Sequence, residues 1–257
     1  MCRSFGVGPE GTETQRRTAS TRERVWRNGR KLEPLWLNAA IPCNGVNSIR
    51  TSVRKVTGAT DNSGRVAAVL NGHTYPVLIL LPPSEKKSPI TGPAITVYTG
   101  VLYQGLGWST LPKAAQNRGA QAITIISAKY GAISPTTVIR AYKEKIDNNA
   151  MRPIVGAVLD KNKSELIIDC RSSTYQSVWR SPVEKTVEVK VYTKVGGVKK
   201  TITHMSKKTR GEVVREILLS KIAPKDPAQL LQILKESFTC TLIKGDQSTP
   251  WVLEVYV

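Results

Sequence analysis

Val77-Leu78-Ile79-Leu80-Leu81, running into Pro82-Pro83-Ser84-Glu85-Lys86-Lys87, decides the fold class of this 257-residue chain. Five apolar residues closed by two prolines fit a strand buried on both faces. The pattern returns at Ile123-Thr124-Ile125-Ile126 before Ser127-Ala128-Lys129-Tyr130-Gly131. It returns again at Leu166-Ile167-Ile168 before Asp169-Cys170-Arg171-Ser172-Ser173-Thr174-Tyr175. In open α/β sheets the loops at the carboxyl ends of such strands gather into one crevice, where ligands bind. Three polar, partly basic loops, each with a serine, therefore predict one shared site.

Outward from these runs the chain alternates between strand and helix signals, which argues for α/β layering. Ser109 is expected to cap a short helix through Ala114 and Ala115 towards Arg118. A second helix is expected over 149–159, and another starting within Tyr175 to Trp179. Residues 186–205 read as a hairpin, with Val187, Val189 and Val191 alternating with polar neighbours and Gly196-Gly197 at the turn. Thr209-Arg210-Gly211-Glu212 has capping-box spacing ahead of Val213, Val214, Ile217 and Leu218. Pro224 is expected to stop that helix, and Asp226-Pro227 to open the next, which carries Leu230, Leu231 and Leu234. Phe238 to Ile243 and Trp251 to Val257 read as a last strand pair.

The net charge is +19, from 38 Lys and Arg against 19 Asp and Glu. Such an excess favours polyanionic partners, because each cation set on a phosphate releases condensed counterions. Cys2, Cys43, Cys170 and Cys240 are scattered, and only His73 and His204 occur, so neither a disulfide framework nor a zinc site is expected. No apolar run approaches a membrane span and no signal-peptide core appears. The expectation is a cytoplasmic protein with no cofactor, no metal and no membrane partner.

Residues 1–75 read differently, with 12 basic and 5 acidic residues and few sustained apolar stretches. Three readings stand: a basic nucleic-acid arm, a transit peptide, or translation from a start codon placed too far upstream. The expected organisation is a low-order basic extension over 1–75 and one α/β domain over 76–257.

Lys190, Lys194, Lys199, Lys200, Lys207, Lys208 and Arg210 fall within 21 residues that contain no acid. On a hairpin leading into a helix start, they are candidates for phosphate contacts, helped by the free N–H groups of a helix amino end. Two helices joined at Ala223-Pro224-Lys225 also suggest a helix-hairpin-helix-like element, although the glycines usual in such motifs are missing. The competing reading for each lysine is a solvated hairpin face. Ser84, Ser127 and Ser172 are better suited to binding anions than to nucleophilic attack, since only His204 or a lysine could act as base. Asp169 is read as a carboxylate that positions Arg171 or as a metal ligand. Tyr98, Tyr103, Tyr130, Tyr142 and Tyr175 are read as base-stacking platforms or half-buried packing residues.

Taken in order, Leu81 to Lys87, Tyr98-Thr99-Gly100-Val101-Leu102-Tyr103, Ser127 to Pro135, Asp169-Cys170-Arg171-Ser172 with Tyr175 and Trp179, and His204 to Gly211 resemble the YaaA family of bacterial peroxide-stress proteins, in particular its actinobacterial branch. The resemblance covers roughly residues 77–257. It implies a single mixed-sheet α/β domain with a basic cleft, duplex DNA binding of weak sequence preference, and a role in limiting iron-driven oxidative damage. It brings no established reaction. The cleft residues it points to are Ser84, Lys87, Tyr103, Ser127, Tyr130, Asp169, Arg171, Ser172, Tyr175 and His204. The phosphate contacts expected beside them are Lys190, Lys199, Lys200, Lys207, Lys208 and Arg210. Departures include a shortened segment between the first loop and Tyr98, Ser134 in place of an arginine, and Lys143 in place of another. The competing expectation is an enzyme acting on a nucleotide or phosphorylated small molecule at the strand-end crevice.

Overall fold

The computed structural model describes residues 76–257, apart from Gly196, Gly197 and Ile202 and the side chains of Lys194 and Val195. The extension expected over residues 1–75, and the turn expected at Gly196-Gly197, therefore lie outside the described residues. In chain order the strands are β1 (Val77–Leu81), β2 (Gly92–Pro93), β3 (Ile123–Ser127), β4 (Gly131–Ile133), β5 (Val138–Ile139), β6 (Leu166–Asp169), β7 (Thr186–Val195), β8 (Val198–Lys200), β9 (Thr239–Ile243) and β10 (Trp251–Tyr256). The helices are α1 (Ala94–Val97), α2 (Val101–Leu106), α3 (Lys113–Ala122), α4 (Asn148–Leu159), α5 (Ser173–Gln176), α6 (Thr203–Leu219) and α7 (Pro227–Lys235).

The main sheet has the order β4-β3-β1-β6-β7-β10-β9, with β8 paired to the far end of β7. β3, β1, β6, β7 and β10 are parallel, and β4, β9 and β8 are antiparallel to their partners. The chain is thus a mixed α/β domain. β1 sits between β3 and β6, with both neighbours parallel to it, and all five of its residues are buried.

Alternation along the strands divides the core by face. Ile79 and Leu81, with Ile125, Ile168, Val189 and Leu253, face α2, α3, α6 and α7 through Leu106, Ala115, Val213, Ile217 and Leu230. Leu78 and Leu80, with Ile126 and Ile167, face α4 through Met151, Val155 and Leu159, together with Val178 and Trp179. The runs that open the sequence reading are therefore strands covered on both sides.

Helix positions repay closer inspection. The helix over 149–159 forms at 148–159, and the Asp147 carboxylate accepts from the N–H groups of Asn149 and Ala150. Asp226 caps α7 by accepting from Gln229 N–H, with Pro227 at the first helical position. Two expectations are corrected. Ser109 lies inside a short 3-10 turn, and α3 begins after Pro112 rather than at a serine cap. The capping-box reading at Thr209 also fails: α6 begins six residues earlier, at Thr203, and Thr209 is buried in its interior. Packing explains the early start, because Ser206 and Thr209 are buried on the side of α6 that faces the sheet, with Ser206 Oγ donating to the Val191 carbonyl of β7 at 3.2 Å.

The side of α6 that carries Lys208 and Gly211 meets α2 with almost no space between the backbones. A Cβ on Gly211 would lie 1.9 Å from the Leu102 carbonyl oxygen, and one on Gly105 would lie 2.2 Å from the Lys208 carbonyl oxygen. α6 leaves the sheet at Leu219, and seven residues, 220–226, separate it from α7. A tight hairpin at Ala223-Pro224-Lys225 is therefore not what joins the two helices.

Gly211→Ala is expected to lower the stability of the domain by about 1–3 kcal/mol, as overpacking does in a filled core. Gly156→Ala, on α4 and near only the Asp160 carboxylate at 3.3 Å, is expected to be neutral or to stabilise by up to about 1 kcal/mol. Urea denaturation of the two variants checks both signs.

Candidate functional site at the carboxyl ends of the parallel strands

Because β3, β1, β6 and β7 run the same way, the loops after Ser127, Leu81 and Asp169 and the β7–β8 arm all leave one end of the sheet. The α6 start belongs to the same end, since Lys207 Nζ lies 3.9 Å from the Glu85 carboxylate of the β1 loop. The serine loops and the basic segment, separate in sequence, share one end of the sheet.

Each serine does something different there. Ser84 is buried, and its Oγ accepts from Gly100 N–H at 2.8 Å, tying the β1 loop to the start of α2. Ser127 is fully buried, and its Oγ accepts from the N–H groups of Lys129 at 3.2 Å and Tyr130 at 3.1 Å, holding the turn into β4. Ser172 is exposed and starts α5, with no side-chain cap bond.

The tyrosines converge more closely than the serines. Tyr98 and Tyr142 share a 2.8 Å hydroxyl–hydroxyl hydrogen bond, and Tyr142 shares one of 2.9 Å with Ser127. Tyr103 donates to the Pro82 carbonyl at 2.8 Å, and its ring lies 5.3 Å from that of Tyr98. Tyr130 meets Tyr142 edge-on at 5.6 Å. Tyr98, Tyr103 and Tyr142 are buried, so their faces are not open to a nucleic-acid base; only Tyr130 and Tyr175 keep partial exposure. Burial pushes the phenols of Tyr98 and Tyr103 well up, raises that of Tyr142 against the hydrogen bonds it accepts, and takes that of Tyr175 up to about 12.

Lys87 rests against this cluster. Its Nζ lies 4.2 Å from the centroid of the Tyr142 ring and 5.9 Å from that of Tyr98, within cation–π reach. Burial lowers its pKa, opposed by the charges of Glu144 and Glu85. Glu144 is itself engaged by Lys129 at 2.6 Å.

Asp169 and Arg171 form a buried bidentate pair. Arg171 Nε donates to Oδ1 at 2.9 Å and Nη2 to Oδ2 at 2.7 Å, while Nη1 donates to the Tyr175 carbonyl at 3.0 Å. The Arg171 side chain has 0% exposure. This geometry gives Arg171 to Asp169 and the α5 backbone rather than to an incoming phosphate, and Asp169 to Arg171 rather than to a metal. Between them Cys170 is fully buried, and burial pushes its thiol up to about 12. Among the described residues, no three His, Cys, Asp or Glu side chains come together as a metal-ligand group.

The basic stretch is distributed over both faces of the sheet and is largely partnered. Lys190 lies 3.3 Å from Glu188, Lys208 lies 3.2 Å from Glu212 one helical turn on, and Arg210 Nε donates to the Val189 carbonyl at 3.2 Å. Lys199 meets the nearly buried Glu254 at 2.6 Å and stands over the rings of Tyr192 and Tyr256. Lys200 and His204 are exposed. Exposed pairs of this kind contribute about 0–1 kcal/mol, so Lys190, Lys207 and Lys208 can exchange their partners for phosphates.

The serine loops share one end of the sheet, as the sequence predicts, but the hydroxyl chain through Tyr142 that links them was not predicted. Tyr142 joins Tyr98, Ser127 and Tyr130, yet it lies between β5 and α4 in a segment with no regular structure. Only the recurrence of tyrosines near the strand-end loops signalled it.

The sequence profile of the family described as Peroxide stress protein YaaA matches residues 81–241. A UPF0246 protein of Streptomyces coelicolor is 29% identical over 182 residues, 64% of this chain and 68% of that protein. UPF0246 proteins of Corynebacterium glutamicum and Corynebacterium efficiens are 33% and 32% identical, over 51% and 52% of this chain and 56% and 58% of theirs. The chain thus spans between about half and two thirds of the length of these relatives.

The four raised phenols predict an alkaline limit. A phenol whose folded pKa exceeds its unfolded value of about 10 stabilises the fold fully below that value, and the contribution is lost as pH rises towards the folded value. Tyr98, Tyr103, Tyr142 and Tyr175 should therefore ionise together as the domain unfolds, starting above pH of about 10. Tyrosinate absorbance and circular dichroism, followed in one alkaline titration, should change in a single step. A graded tyrosinate signal with unchanged dichroism would show these phenols to be accessible.

Proposed function

The chain belongs to the peroxide stress protein YaaA family, and we propose on that ground that it acts in the peroxide-stress response by binding duplex DNA and helping to limit iron-driven oxidative damage. The observation that carries this reading is directional. Four parallel strands deliver the β1, β3 and β6 loops, the β7–β8 arm and the α6 start to one end of the sheet, and that end holds Lys87, Lys129, Lys199, Lys200 and Lys207. The charge supports it too: residues 76–257 hold 26 Lys and Arg against 14 Asp and Glu. DNA binding here is electrostatic, with lysines leaving weak surface pairs for phosphates and counterions released on contact. Lys190, Lys200, Lys207 and Lys208 are the residues assigned to it, and Lys199 is left out because nearly buried Glu254 holds it. Arg210 and Arg171 are left out, since both are engaged by other groups of the protein.

The alternative reading, an enzyme for a phosphorylated small molecule, needs an anion anchor in the crevice. Its expected anchor, Arg171, has its guanidinium edge occupied by Asp169. DNA binding is therefore the better-supported reading.

Duplex DNA binding by the full chain, measured across a salt series, tests it. The Lys207→Glu, Lys208→Glu double variant should bind more weakly at every salt concentration. Its log–log salt slope should be shallower by about 1–2, the loss expected for two phosphate contacts. Unchanged affinity and slope would remove this helix start from the mechanism.

A further inference from the structure

The segments that enter β6 and β7 frame a cavity of about 180 Å³, at the end of the sheet away from the serine loops. It lies on the α4 face, where the chain passes from α4 into β6 and from Trp179 into β7. Leu159, Ile167, Trp179 and Pro182 form its apolar walls, and Asp160, Asn162, Arg180 and Lys185 form its polar rim. The walls are held in place. Trp179 donates its indole N–H to Asp160 Oδ1 at 2.8 Å, and the Arg171 guanidinium lies 5.8 Å from its ring centroid. The Pro182 carbonyl accepts from Thr186 Oγ1 at 2.6 Å, which fixes the turn into β7.

What the rim leaves unused are donors. Arg180 is exposed and Lys185 half-buried, and neither side chain has a hydrogen bond or ion pair among the described residues. Asn162 Oδ1 accepts from Ser164 N–H at 2.9 Å, which leaves the amide NH2 of Asn162. Asp160 is the one acid that lines the cavity, and its Oδ1 is already used by Trp179. Two cations against one carboxylate leave a single positive charge. A monoanion cancels it, whereas a dianion would set a second negative charge against Asp160. Size narrows the ligand further. The volume equals about six waters at roughly 30 Å³ each, room for one six-membered ring and its head group. It falls below the roughly 300 Å³ at which sites for larger ligands begin, so a nucleotide does not fit.

We infer that this cavity binds a small monocarboxylate with a body of about one ring, its carboxylate on Arg180 and Lys185 and its body against Leu159, Ile167 and Trp179. The planar guanidinium of Arg180 matches both oxygens of a carboxylate, and Lys185 adds a point charge beside it. The apolar body gains by leaving water for walls that are already formed, so little ordering is needed on binding. Asp160 holds the indole and selects against a second negative charge on the ligand. None of these residues is among the lysines assigned to DNA, so the two readings can fail separately.

Fluorine NMR of 4-fluorobenzoate with the full chain at pH 7 tests the site, beside the neutral 4-fluorobenzyl alcohol and the dianionic 4-fluorophenyl phosphate. The carboxylate should saturate one site with a Kd on the order of 1 mM, the range of a ligand with so few atoms. The alcohol and the phosphate should each bind about threefold to tenfold more weakly. Arg180→Ala and Lys185→Ala, both outside the core, should each weaken the carboxylate about threefold to tenfold and leave the alcohol unchanged. Lys221→Ala, at an exposed lysine between α6 and α7, should change neither ligand and so controls for general charge. No saturation by about 10 mM carboxylate, or an unchanged Kd in the Arg180→Ala, Lys185→Ala double variant, overturns the site. Tighter binding of the phosphate than of the carboxylate overturns the assignment of a monocarboxylate.

Discussion

Burial of β1 on both faces, between two parallel neighbours, is the constraint on which this end of the molecule depends. With Leu78 and Leu80 packed on α4 and Ile79 and Leu81 packed on the opposite helices, the strand cannot slip by one residue without turning each set to the other face. Register then fixes where Pro82 leaves the sheet, and Ser84 and Tyr103 fix the loop beyond it. Lys87 is held by that anchored loop and by the rings beneath it.

The remaining elements position charge relative to this loop. Gly105 and Gly211 let α2 and α6 meet backbone to backbone, so no long side chain intervenes to loosen the contact. Since Gly100 and Ser84 tie α2 to the β1 loop, α6 is held to the same loop through α2. The Asp169–Arg171 pair does the same for the β6 loop. Its charges are removed from water and satisfied in bidentate geometry, so loss of one partner alone would cost about 3–5 kcal/mol. The loops at this end of the sheet are thus tied to one another from within, and the lysines lie outside those ties.

Strands were legible because apolar runs such as Val77–Leu81 and Leu166–Ile168 leave few alternatives, and Asp226-Pro227 was legible because its cap is local. The start of α6 was not. Thr209 and Glu212 carry capping spacing, but Ser206 is held on β7 and Gly211 on α2, so the helix runs through them, and the Gly211 contact joins residues about 100 apart in sequence. The fate of Arg171 was half legible. Its spacing from Asp169 suggested a pair, but only the fold shows that pairing uses the guanidinium edge a phosphate would need. The hydroxyl chain was not legible, since Tyr98, Ser127 and Tyr142 arrive from three separate segments and the motifs that hold Tyr98 and Ser127 do not include Tyr142, which joins them.

Cys170 gives the buried pair a chemical companion. Thiolate, not thiol, is the species that peroxide oxidises, and a thiol held at about 12 is ionised at neutral pH only on the order of one part in 10⁵. Its neighbours Asp169 and Arg171 exclude the solvent through which an oxidant would arrive. The strand end thus carries a sulfur guarded against oxidation, so the geometry of the β6 loop does not depend on the redox state of its surroundings.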